Sequence, residues 1–117
     1  MSHPIEGNAL VLAAARASVG PSRLPELLAE AQATLAGRRD AYRRGYERAL
    51  DGDAAEAFFV EQGHWAGLGD EFGWNRREHE AAARAHRAHL LQAGRREGRR
   101  DEFESALELR EVVVVGR

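Results

Sequence analysis

Four consecutive valines, Val112 to Val115, end a chain that otherwise reads as helix former, and no other stretch restricts the fold as much. Side chains branched at Cβ are stiff at χ1 and suit a pleated strand better than a helix. A lone strand leaves its backbone N–H and C=O groups unpaired, and such groups need partners. The run has three outlets: pairing with the N-terminal segment, pairing with another chain, or lying as an apolar tail on a helical body. Pairing between copies is the expectation, because a bundle of helices offers no strand partner. It makes the protein a homodimer or larger homo-oligomer through its C-terminal valines.

The remainder argues for helix. Of 117 residues 22 are alanine, the best helix former and one that buries little area. Leu24, Leu28, Ala31, Leu35, Tyr42, Tyr46 and Ala49 recur at spacings that put one apolar stripe on a long helix running to about Leu50, closed by Asp51-Gly52, with Gly37 as the point where it would kink or break. Asp53–Glu56, Asn75–Glu78 and Asp101–Glu104 each pair an Asx residue with a glutamate three positions later, the pattern of a capping box. They predict helices over Asp53 to Gln62, from Asn75 to Ala93 or beyond, and over Asp101 to about Glu111. Asn8 is placed to cap a further helix over Ala9 to Ser18. The expected fold class is all-α: a single helical domain over residues 1–117, a small helical bundle built on a long helical hairpin, with a short C-terminal extended segment.

The chain has no cysteine, which excludes disulfides and thiolate metal sites and fits a reducing cytoplasmic setting. The apolar run Ala9 to Ala15 is too short to span a membrane and poorly flanked for a signal peptide, so no membrane association is expected. A formal charge of −2 conceals acidic and basic blocks that alternate along the chain, as neighbouring elements neutralising one another would.

Phe58 to Asn75 holds both tryptophans, three of the four phenylalanines and four of the 12 glycines. Read as a loop, it is the candidate partner-binding site, with Trp65, His64, Phe72, Asp70 and Glu71 as contact residues, tryptophan being a frequent interface anchor. Trp74, beside the Asn75 cap, is expected to be structural and Trp65 the more exposed of the two. On the following helix His79, His86 and His89 share the inward face and form a candidate metal set, although neither HExxH nor Glu-x-x-His accompanies them. Arg76, Arg77, Arg84, Arg87, Arg95 and Arg96 offer guanidinium forks to phosphates, but no aromatic side chain is interleaved for base stacking. Adjacent acids such as Asp70-Glu71 normally face solvent, and no nucleophile motif is present. The function expected is a non-enzymatic, self-associating interaction or regulatory module with no cofactor. Its alternatives are a nucleic-acid-binding accessory protein using the arginines and a metal-dependent helical enzyme using the histidines.

Overall fold

The valines find their strand partner inside the chain. The computed structural model describes residues 19, 20 and 22–117. In chain order these form α1 (Arg23–Ala36), α2 (Arg39–Gly45), β1 (Glu47–Asp51), β2 (Ala55–Val60), α3 (His64–Phe72), α4 (Arg76–Glu97), α5 (Arg100–Leu107) and β3 (Glu111–Gly116). The strands make one antiparallel sheet in the order β1-β2-β3, with Phe58 opposite Val113 and Ala57 opposite Val114. The expected all-α class is therefore wrong. The described residues are α+β, helices packed on both faces of a three-stranded sheet.

Alternation along β2 and β3 builds two cores. Phe58, Val60, Val113 and Val115 face α1 and the first half of α4, among Leu24, Leu28, Leu35, Trp65, Ala82 and Ala85. Ala57, Phe59, Val112 and Val114 face Leu90, Ala93, Phe103 and Leu107. All six residues of β2 are buried, and each large apolar side chain so covered contributes about 1.5–3 kcal/mol relative to exposure. Helix α4 supplies both cores, the first with its early residues and the second with its late ones.

Two local expectations fail for one reason, that packing on the sheet outweighs helix propensity. The segment predicted as a helix over Asp53 to Gln62 is the hairpin turn and central strand. Glu56, instead of reaching back to cap Asp53, sends its carboxylate to Arg43 and Arg48. The long helix to Leu50 stops at Ala36, resumes as the short α2, and becomes β1 before Asp51. Helix α5 starts at Arg100 behind Arg99, without a side-chain cap, and ends at Leu107. The Asn75–Glu78 box does form: the Glu78 N–H donates to Asn75 Oδ1 at 2.9 Å and the Asn75 N–H to Glu78 Oε1 at 2.8 Å. The expected helix over Ala9 to Ser18 lies outside the described residues.

The outer edge of β3 is closed by side chains rather than by another strand. Trp65 Nε1–H donates to the Val112 carbonyl at 2.9 Å, and the Val114 N–H donates to His86 Nδ1 at 2.9 Å. Gln32 donates its amide N–H to the Val114 carbonyl at 2.6 Å and accepts from the Gly116 N–H at 2.9 Å. Arg39 donates to the Gly116 carbonyl. Four helices thus satisfy the ladder groups that pairing between copies was expected to use.

Candidate functional site

The stretch read as a loop contains a helix, and that helix decides which of its residues meet solvent. Gly63, at φ 90°, and Gly73, at φ 75°, bracket α3 in left-handed conformations that favour glycine. The first turn is held by Glu111, whose carboxylate accepts from the Gly63 and Trp65 N–H groups at 3.1 and 2.9 Å. This orientation drives Trp65 inward. It is 1% exposed, its ring lies 4.5 Å from that of His86, and the expectation of an exposed Trp65 is overturned. Trp74 is buried as well, donating Nε1–H to Glu30 at 3.2 Å, with its ring tilted by 50° against the half-buried Phe72 at a centroid distance of 4.8 Å. Asp70 is exposed on α3.

The half-buried His64 and the exposed Glu71 line one hollow of about 250 Å³ with Arg38, Tyr42, Glu61, Gly63, Gly67 and Leu68. Its polar groups are already ordered. The Tyr42 hydroxyl donates to His64 Nε2 at 2.6 Å, and the Nδ1–H of that tautomer, assigned from the network, donates to Glu61 at 3.2 Å. Arg38 grips the Glu71 carboxylate with both terminal nitrogens. The Arg38 fork holds the Glu71 carboxyl below the usual range. Burial pushes the Glu61 carboxyl up, but its own backbone N–H and the His64 ring outweigh this and leave it below that range. Burial pushes the Tyr42 hydroxyl up to about 12.

A hydrogen-bonded series of tyrosine, histidine and glutamate resembles an acid–base relay in outline, yet its polarity is wrong for one. The imidazole lone pair a general base would present to substrate is engaged by the Tyr42 O–H, and a phenol with a raised pKa is a poor proton donor and a poor nucleophile. The arrangement fixes ring positions instead. Tyr42, Tyr46 and His64 lie with centroids 5.4–5.6 Å apart, forming an aromatic ridge beside the hollow.

The other sequence candidates are dispersed. His86 is fully buried as an edge cap of β3, His79 packs against Gly69 of α3, and burial, aided by Arg96, lowers the half-buried His89. Among the described residues no group of three or more metal-ligating side chains is placed to hold an ion. Of the arginines, Arg76 pairs with Glu80, Arg87 donates to the Leu107 carbonyl at 3.2 Å, and Arg84 and Arg87 border a smaller apolar hollow with Leu107 and Val112. Arg77, Arg95 and Arg96 are exposed along α4. The sequence reading did not place Arg38, Tyr42 or Glu61 in the partner site. The one available signal was the spacing of Arg38, Tyr42 and Tyr46, four residues apart on what reads as a single helical face.

Among the described residues no helix is long and apolar enough to cross a membrane. No curated protein and no solved structure matches the chain. A family model described as a domain of unknown function (DUF8048) matches residues 3–117, and the chain belongs to that family.

Proposed function

We propose that this protein is a non-enzymatic interaction module that receives a basic side chain of a protein partner in the hollow between α2 and α3. The observation that carries this reading is the ordering of that hollow's polar groups before any partner arrives. Two carboxylates, Glu61 and Glu71, outweigh the single guanidinium of Arg38, and the Tyr42–His64 pair stiffens the wall. A surplus carboxylate beside aromatic rings suits a guanidinium or ammonium group. Ordered side chains lose little further entropy on binding, which favours affinity from a small contact. The same carboxylates repel phosphates, so a nucleic acid is not the partner of this face. The absence of cysteine supports a reducing, cytoplasmic setting.

Self-association belongs to this proposal in altered form. With the β3 edge closed, a second copy would dock through this hollow or along the outer edge of β1, not through the valines. The test is a photo-crosslinking residue placed at Gly67, which is exposed and has open space around it, with the same residue at Arg76 as control. A discrete adduct from position 67 alone, abolished by Glu61→Gln, is the expected result. An adduct of twice the chain mass identifies the partner as a second copy. No adduct, or the same adduct from both positions, overturns the proposal.

A further inference from the structure

Helix α4 turns one side to solvent from its first turn to its last, and that side is basic. At about 100° per residue, Arg77, Arg84, Arg87 and Arg95 fall within an arc of about 80°, and all four are exposed. The buried residues Ala81, Ala85, His86, Leu90 and Ala93 lie outside this arc and hold the helix against the rest of the molecule. From Arg77 to Arg95 the row extends about 27 Å, at about 1.5 Å per residue.

Carboxylates do not cancel this charge. Among the described residues Arg77 and Arg95 have no hydrogen-bond or ion-pair partner, and Arg87 donates only to the neutral Leu107 carbonyl, at 3.2 Å. Of the acids of α4, Glu80 is paired with Arg76 at 3.2 Å, Glu78 serves the Asn75 cap and Arg23, and Glu97 falls outside the arc. Glu111, which borders the smaller hollow with Arg84 and Arg87, gives its carboxylate to the Gly63 and Trp65 N–H groups. At about 0.1 M salt, charges more than about 10 Å away are largely screened, so the formal charge of −2 does not set the field at this face.

A row of guanidinium groups on a rigid helix matches a rigid row of phosphates. Guanidinium forks suit phosphate oxygens, and duplex DNA carries about one negative charge per 1.7 Å of its axis. A single strand is held largely through aromatic rings on which its bases stack, and this arc has none. An anionic membrane takes up apolar side chains, and Leu91, the one large apolar residue of the arc, is half-buried. We infer that the solvent face of α4 binds the phosphate backbone of a nucleic-acid duplex, whatever its sequence, through Arg77, Arg87 and Arg95. The inference stands apart from the partner hollow between α2 and α3, since it uses different side chains and the opposite charge.

The experiment is fluorescence anisotropy of labelled DNA duplexes of about 20 base pairs and two unrelated sequences, titrated with the full chain between about 50 and 200 mM salt. Both duplexes should bind within a few-fold of each other. Three phosphate contacts predict that log K falls with log salt at a slope of about −2.7, about 0.9 for each contact. Arg77→Gln and Arg95→Gln should each weaken binding at the lowest salt by roughly tenfold and make the slope shallower by about 0.9, with the circular dichroism spectrum unchanged. Arg87→Gln should do the same, but Arg87 also holds the Leu107 carbonyl, so the first two variants carry the test. Arg44→Gln removes an equally exposed charge from α2 and should leave the slope as it was. No binding at the lowest salt overturns the inference. So does a slope that Arg77→Gln and Arg95→Gln leave unchanged, or that Arg44→Gln lowers as much. Tighter binding to one duplex sequence by more than a few-fold, to the single strand, or to vesicles of an anionic phospholipid at equal phosphate concentration overturns it as well.

Discussion

Glu56 pairs a residue usually found at the surface with a fully buried position, and the arginines around it decide its ionisation. The hydrogen bonds from Arg43, opposed by desolvation and aided by Arg48 and Arg117, bring its carboxyl from 4.5 to about 2. The unfolded chain therefore takes up this proton at higher pH than the folded one. The Glu56 contribution to stability is full above about pH 4.5 and is lost as pH falls from there to about 2. Urea midpoints measured across that interval should fall with pH, and Glu56→Gln should lower stability at neutral pH while flattening this part of the profile. Trp65 makes a second prediction at the same scale. Its ring fills the first core and its N–H satisfies the Val112 carbonyl, so Trp65→Ala should cost about 3–5 kcal/mol in chemical unfolding. Fluorescence of the native protein should be blue-shifted and poorly quenched by acrylamide.

Strand β3 shows how an edge can be protected without a neighbouring strand. Gln32 holds the Val114 carbonyl and the Gly116 N–H together, acting as a surrogate peptide unit. Gln32→Ala leaves both unsatisfied and should cost roughly 1–3 kcal/mol for each group. It also reopens part of an apolar edge. Light scattering should then show more association than the unaltered chain gives at the same concentration. The junction of α4 and α5 depends on close approach: a Cβ added at Gly94 would meet Phe103 Cδ2 at 2.5 Å and Arg100 Cα at 3.2 Å. Phe103 is fully buried and cannot swing away. Gly94→Ala should therefore destabilise by roughly 1–3 kcal/mol, despite alanine's better helix propensity.

At the scale of the whole molecule, β2 and β3 belong to both cores, since alternate residues of the same strands face opposite layers. Neither layer can come apart without losing the sheet. Tryptophan fluorescence, which reports the first core through Trp65 and Trp74, should unfold together with far-UV circular dichroism in one transition. Phe103→Ala in the second core should move both midpoints equally. Separate transitions would show that the two layers unfold independently.

Sequence alone determined what is written within about one helical turn. The Asn75–Glu78 box and the helix that follows it, and the strand character of Val112 to Val115, were legible because capping and side-chain branching act over one to four residues. The candidate site was legible in part: His64 and Glu71 were assigned to it, but Arg38, Tyr42 and Glu61, which complete their hollow, were not. Only the tertiary structure decided that Ala55 to Val60 is a strand, that the stretch from Glu47 to Asp51 is another, and that Trp65 points inward. Ala57 pairs with Val114 and Arg38 with Glu71, so the energy that settles these choices comes from contacts far apart in sequence. Alanine-rich segments carry a weak local preference for helix, and burial on a sheet whose other strands lie elsewhere in the chain exceeds it.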